Sequence, residues 1–181
     1  MAFNINAFRS QMVGDGSRPN LFEVSMPFPS FANPGSASTK LTFTCRTASL
    51  PGSTVNSVTV PYMGRETKFA GNRIFADWVI TVINDEDFVV RNTFERWLNA
   101  INSHTGNLRL ASALPPTSYT VDANVIHYGK TGNTTKTYKF IGMFPTDVSV
   151  IDVDWGANDQ FEEFSVTLAY QYWTAETDTI I

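Results

Sequence analysis

The chain has 181 residues, 43% hydrophobic and 17% charged, a balance that excludes a disordered protein and suffices to bury a core without covalent staples. Seventeen acidic residues against thirteen basic ones leave a net charge of −4, so the cationic footprint needed to grip DNA or RNA is missing. Cys45 is the only cysteine, which excludes an intrachain disulfide and a thiolate metal cluster.

In chain order, residues 1–19 read as a polar arm carrying Gly14 and Gly16, and residues 27–39, with Pro27, Pro29 and Pro34, as loop. Leu41, Phe43 and Cys45 alternate with Thr42, Thr44 and Arg46, the period of a half-buried strand, with Cys45 a small hydrophobe inside it. Residues 47–74 form a long excursion that opens at Leu50-Pro51-Gly52. Within it Val58, Val60 and Tyr62 alternate with Ser57 and Thr59, and a hairpin turns around Met63-Gly64. Excursions of this length commonly serve binding. Trp78, Ile80 and Val82 then alternate with Asp77, Val79 and Thr81.

A helix is predicted from about Asp85 to Ser103. Asn84 is placed to cap it, Asp87 occupies the capping-box position, and Gly106 is placed to end it. Val90, Phe94, Trp97, Leu98 and Ile101 form one apolar stripe, with Arg91, Asn92, Glu95, Arg96 and Asn99 on the other side. Pro115-Pro116 marks a loop, residues 129–133 a turn, and 121–125, 138–141 and 148–153 further strands. In the last strand Phe164, Val166, Leu168, Tyr170 and Tyr172 face one way. Ser165, Thr167, Ala169 and Gln171 face the other, a small polar surface in a register that a one-residue slip would invert. The whole reads as a mainly β, sandwich- or barrel-like domain spanning 1–181, with one amphipathic helix laid on the sheet.

Chemistry is scarce. Asn84-Asp85-Glu86-Asp87 is the densest acidic cluster, but it lacks the spacing and turn glycine of a calcium loop and suits a helix start instead. Gly129-Lys130-Thr131 resembles the end of a phosphate loop, yet Asn124 stands where the motif needs glycine, so it reads as a β-turn. His104 and His127 are far apart and show neither metal-ligand spacing nor a neighbouring nucleophile. No catalytic residue, cofactor or metal is therefore expected. No apolar stretch approaches membrane-spanning length and residues 1–16 contain no secretory h-region, so the expected location is a cytoplasm.

Seven segments taken together resemble the tail tube proteins of contractile-tailed phages, a family related to the tubes of type VI secretion machines. They are 18–24 (Arg-Pro-Asn-Leu-Phe-Glu-Val), 48–53 (Ala-Ser-Leu-Pro-Gly-Ser), 60–65 (Val-Pro-Tyr-Met-Gly-Arg), 70–73 (Ala-Gly-Asn-Arg), 75–78 (Phe-Ala-Asp-Trp), 84–88 (Asn-Asp-Glu-Asp-Phe) and 91–101 with Phe94 and Trp97. The resemblance implies a β-sandwich or barrel with one helix, six copies of which join their sheets into a ring. Rings stack on a baseplate into a rigid tube inside a contractile sheath, and DNA passes through the lumen without specific binding. It thus implies self-association together with sheath, baseplate and tail terminator partners, and a place in the virion tail after assembly in the host cytoplasm.

Set in that frame, the excursion is the expected ring-stacking element. Leu50, Val55, Tyr62, Met63 and Phe69 serve as apolar anchors, while Arg65, Lys68 and Arg73 reach acidic partners. Ser165, Thr167, Ala169 and Gln171 are expected to face the lumen, and Arg91, Glu95 and Arg96 to lie exposed on the outside of the helix, toward sheath. Other readings stay open: a tube subunit of a non-phage injection or secretion machine, a baseplate or tail-terminus protein of the same fold, or a monomeric β-sandwich module that binds carbohydrate or protein.

Overall fold

Strands dominate because β-branched and aromatic residues alternate with small polar ones along most of the chain. The structure, a computed structural model, describes residues 4–175; the first three residues of the expected arm and positions 176–181 of the expected domain lie outside them. The elements run α1 (Ile5–Gln11), β1 (Phe22–Ser25), α2 (Ala37–Thr44), β2 (Cys45–Ala48), β3 (Thr54–Tyr62), β4 (Arg65–Ile74) and β5 (Trp78–Ile83). They continue with α3 (Val89–Ile101), α4 (Pro116–Tyr119), β6 (Val121–Tyr128), β7 (Thr134–Val148), β8 (Glu163–Ala169) and β9 (Tyr172–Ala175). One sheet has the order β1-β6-β7-β8-β5-β2, with β9 also on β7, and β3 with β4 makes a separate two-stranded sheet.

The fifteen-residue β7 is the spine. Its residues 138–141 pair with β9 and its residues 144–148 with β8, so the strand passes from one half of the sheet to the other. The change of direction falls at Gly142, whose φ is +65°. The Gly142 N–H donates to Asp122 Oδ1 at 3.1 Å, and a Cβ there would meet the Gln171 side chain at 3.0 Å. Burial works against the Asp122 carboxylate, but Lys139 at 3.0 Å and the Gly142 N–H outweigh it and hold its pKa below the ordinary value. A left-handed backbone costs an L-residue about 1–2 kcal/mol. Gly142→Ala is therefore expected to lower the melting temperature by several °C, at about 2–4 °C per kcal/mol for a chain of this size. An unchanged melting curve in calorimetry would show that the bend is not held by this residue.

The halves close on a common core. Val24, Ala123, Val125, Phe140 and Met143 come from one side and Trp78, Ile80, Val82, Phe164, Val166 and Leu168 from the other, all buried. Trp78 stacks on Phe140 with ring centroids 4.5 Å apart, joining the two halves. The helix α3 lays Val90, Phe94 and Trp97 into this core, where Phe28 meets Phe94 and Trp97 edge-on at 5.0 and 5.9 Å. The Trp97 indole N–H donates to the Tyr119 carbonyl at 2.9 Å, so a buried polar atom is satisfied.

Several elements differ from the sequence expectation. Residues 37–44 are helical, not the start of a strand: Ala37 and Leu41, one turn apart, are buried and Phe43 points out. That helix and the short 3-10 turn Ser30–Ala32 occupy part of the expected loop at 27–39. Cys45 opens β2 half-buried, and burial pushes its thiol up to about 12. The arm contains α1, capped by the Asn4 side chain accepting the Asn6 and Ala7 N–H groups. The long helix starts at Val89, because Asn84 is used elsewhere: its backbone N–H and side-chain amide both donate to Glu162. Asp87 does serve the start, accepting the Val89 N–H at 3.1 Å. The helix closes at Asn102, before Gly106. A short helix, α4, begins at Pro116 inside the expected loop, and the strand expected at 148–153 ends at Val148. The last strand breaks after Ala169, opposite the bend in β7, and resumes at Tyr172.

Candidate assembly surfaces

A two-stranded hairpin is marginal in water unless something covers one face. In β3–β4 not one residue is buried. The strands pair from Thr54↔Ile74 to Tyr62↔Arg65 and turn through Met63 and Gly64, both at positive φ (46° and 81°), the two-residue turn that matches strand twist. At nine residues and about 3.4 Å each, the arm extends roughly 30 Å.

Its two faces differ. Val58, Val60 and Tyr62 share one face with Phe69, Thr67 and Arg65, their cross-strand partners. On the reverse face Val55, Ser57, Thr59 and Pro61 pair with Arg73, Ala70, Lys68 and Glu66. On the apolar face Val58 is 54% exposed, Tyr62 68% and Phe69 57%. The root of the hairpin is tied to the body by two indoles. Trp78 Nε1 donates to the Ser49 carbonyl at 2.8 Å and Trp173 Nε1 to the Gly52 carbonyl at 3.1 Å.

Of the residues expected to stack rings, Tyr62, Phe69 and Arg65 are thus brought to one face. Val55, Lys68 and Arg73 lie on the other, Met63 at the tip and Leu50 at the root, beside Phe22, Ala48 and His127. Val58 and Val60 belong to the apolar face and were absent from the expected set. Their period-2 alternation was visible in the sequence, but alternation shows only that a face is apolar, not whether its own chain covers it.

On β8, Ser165, Thr167 and Ala169 do share the face turned away from the core, half-buried. They are joined there by Val79 and Thr81 of β5; the Thr81 and Ser165 hydroxyls are 3.3 Å apart and Thr146 Oγ1 donates to the Thr167 carbonyl at 3.2 Å. Gln171 is not part of that face: it lies between β8 and β9, its N–H donating to the Ile141 carbonyl at 3.0 Å.

On α3, Glu95 and Arg96 are exposed, whereas Arg91 is not. Its side chain is only 18% exposed, donating to Glu95 Oε1 at 2.9 Å and to the Ser149 carbonyl at 3.1 Å, with the guanidinium 5.3 Å from the Phe164 ring centroid. Arg91 is a strut between helix and sheet, because a planar fork can bond a carbonyl and cover an aromatic ring together.

The acidic run at 84–87 is tied into the body: Lys40 donates to Asp85 at 2.6 Å and also pairs with Asp87. The Lys40 hydrogen bond holds Asp87 below the usual carboxylate range, and the two carboxylates hold Lys40 above its ordinary value. Residues 129–133 form the turn between β6 and β7, with Lys130 3.5 Å from Asp15. His127 lies near the Ser17 and Thr135 hydroxyls, and His104 is exposed beyond α3. Among the described residues no group of three His, Cys, Asp or Glu is arranged to hold a metal ion, and no helix is long and apolar enough to cross a membrane.

Comparison with known proteins bears on these surfaces. The family model of the phage tail tube protein matches residues 17–176. The tail tube protein of Enterobacteria phage T4 is 35% identical over 161 residues, covering 88% of this chain and 92% of that protein. The tail tube protein of Serratia phage KSP90 is 29% identical over 168 residues, covering 92% of this chain and 93% of its own. Among solved structures, a chain of the sheath–tube complex of an extracellular contractile injection system superposes with a TM-score of 0.56. That match covers 92% of this chain and 96% of the other at 16% identity, a likeness of fold.

Proposed function

The chain belongs to the phage tail tube protein family, and from that premise we propose that it is the structural subunit of a phage tail tube, a building block with no catalytic role. Its copies, as one domain each, close into rings of six, and the rings stack into a hollow tube in the virion tail, assembled in the host cytoplasm. The observation that carries this reading is the hairpin 54–74, whose apolar face is left exposed by the other described residues of a single copy. An exposed apolar patch of this kind marks an interaction site. The edge strands β1 and β2 add unpaired backbone groups that neighbouring copies can satisfy, and ring closure leaves no free edge. A phage tail is favoured over an injection machine by the 35% identity to a phage tube protein, against 16% for the injection-system tube chain.

In this reading sheath, baseplate and terminator proteins are partners of the tube, with Glu95 and Arg96 on the outer, sheath-facing side. The uncharged face of Ser165, Thr167 and Ala169 lines the lumen, with Gln171 at its border. Arg46, at the end of this face, is paired with Glu163, and a lumen without unpaired positive charge lets DNA pass instead of holding it. Thr167→Lys is expected to leave tubes intact and slow DNA delivery into cells; loss of rings would reassign that face to a subunit interface. The subunit reading itself is tested by negative-stain electron microscopy with light scattering on the purified protein. Hollow rings or tubes are the expected result. A particle that stays monomeric at every concentration, with and without added baseplates, overturns it.

A further inference from the structure

Two exposed elements leave opposite ends of the same pair of strands. β5 and β8 pair from Trp78↔Leu168 to Ile83↔Glu163. The hairpin departs at the Trp78 end, since β4 stops at Ile74 and β2 at Ala48, which pairs with Ile80. The segment 149–162 departs at the Ile83 end, between Val148 of β7 and Glu163 of β8. Six residues at about 3.4 Å put roughly 17 Å or more between the two ends.

The segment is as exposed as the hairpin. Val150, Val153 and Phe161 are each about four-fifths exposed, and Trp155 is 103% exposed. Trp155 is held out by a turn in which Asp154 Oδ1 accepts the Gly156 N–H at 2.9 Å and the Asp154 carbonyl accepts the Ala157 N–H at 3.1 Å. Phe161 and Phe88 line a cleft there together with Glu86 and Glu162.

Charge separates the two ends. Residues 54–74 hold Arg65, Lys68 and Arg73 against Glu66 alone. Residues 84–87 and 149–163 hold eight acidic side chains and no basic one. Lys40 pairs with Asp85 and Asp87 and Arg46 with Glu163, which leaves Glu86, Asp152, Asp154, Asp159 and Glu162 without an ion-pair partner among the described residues. Hairpin on hairpin, or acidic end on acidic end, sets like charges together; hairpin on acidic end sets opposite charges and two apolar surfaces together. A contact between different ends of identical copies repeats wherever its rotation does not close a ring, which is how a stack propagates.

We propose that the occupant of the acidic, Trp155-bearing end is a second copy of this chain. The apolar face of the hairpin from one ring seats on the 149–162 segment of a copy in the next. Val58, Val60 and Phe69 cover Trp155 and Phe161, and Arg65, on the same face, meets the carboxylates that have no ion-pair partner, while Lys68 and Arg73 add positive charge from the reverse face. This rests on the tube-subunit reading and names the surface that receives the hairpin.

Charge reversal tests it on the full chain. Arg65→Glu with Lys68→Glu, and separately Asp152→Lys with Glu86→Lys, are expected to give rings without tubes, and all four together to restore tubes. The four side chains lie on the surface, so melting temperatures near the wild type establish that each variant folds. A second measurement does not depend on charge. Phe69→Cys with Trp155→Cys, treated with copper phenanthroline, is expected to give a ladder of covalent multimers, whereas either single variant links pairs at most. The variants are made in a Cys45→Ser background, so that no other thiol takes part. Normal tubes from the acidic-end variant, or tubes that yield no ladder, overturn this contact and leave the subunit reading standing. A wild-type protein that forms neither rings nor tubes overturns both.

Discussion

A chain in which residues 55–73 are replaced by a two-residue Asn-Gly turn is expected to fold with nearly unchanged stability and to build no tubes. The replacement is geometrically mild: Thr54 and Ile74 are cross-strand partners, so their Cα atoms sit about 5 Å apart and a tight turn spans the gap. No hairpin residue is buried, so the core loses no apolar area and the change in stability should stay below about 1 kcal/mol, a few °C. Association loses far more. Covering Val58, Val60, Tyr62 and Phe69 contributes roughly 1–2 kcal/mol per side chain, repeated for every copy around a ring. Circular dichroism and electron microscopy on one sample read both halves of the expectation. An unfolded product would mean that the hairpin belongs to its own domain's stability, and the stacking assignment would fall.

The second large effect is internal. Trp78→Ala is expected to cost about 3–5 kcal/mol, read as a drop of roughly 10 °C in melting temperature. The indole is 2% exposed and stacks on Phe140 across the two halves of the sheet, so its removal leaves a cavity where those halves meet. Its N–H also fixes the Ser49 carbonyl at the hairpin root. Trp78→Phe keeps an aromatic ring but loses that hydrogen bond and part of the indole's volume, with an expected cost of about 1–3 kcal/mol. Assembly should weaken in both variants through a looser root. If Trp78→Ala costs less than about 1 kcal/mol, the two halves are joined elsewhere.

What could be read from residues alone follows how much of each pattern is repeated. The stripe Val90, Phe94, Trp97 recurs over two turns and places α3 within a few residues. The strands at Trp78–Ile83 and Glu163–Ala169 alternate over six and seven residues and were equally plain. Residues 41–45 offered only three alternating apolar positions, and there the i, i+4 pair Ala37 and Leu41 took over, because two buried side chains on one helical face outweigh an exposed Phe43. The start of α3 was misplaced because Asn84 had a partner 78 residues away, Glu162, which no local pattern contains. Arg91 reads as solvated for the same reason: its acceptor, the Ser149 carbonyl just past β7, and its ring, Phe164 of β8, are distant in sequence.

The candidate surfaces divided along a similar line. The hairpin and its turn were legible because Met63-Gly64 follows an alternating run and only a tight turn fits there. Which of its side chains share a face was not, since that depends on the register of β3 on β4 and on the irregularity between Val55 and Ser57. Gln171 was assigned with Ser165, Thr167 and Ala169 by parity. Parity fails past Ala169, where the chain follows the bend of β7 at Gly142 and leaves the strand for two residues.

The hairpin also carries a hazard for the unassembled protein. Each of its strands has an outer edge of backbone donors and acceptors without a ladder partner, beside an apolar face, which is the template on which chains aggregate. Three features blunt it. Pro61 offers no N–H, Lys68 puts a charge on the reverse face, and the break in register between Val55 and Ser57 interrupts a flat edge. In the proposed reading, the arm that joins rings is also the arm that carries these guards against precipitation.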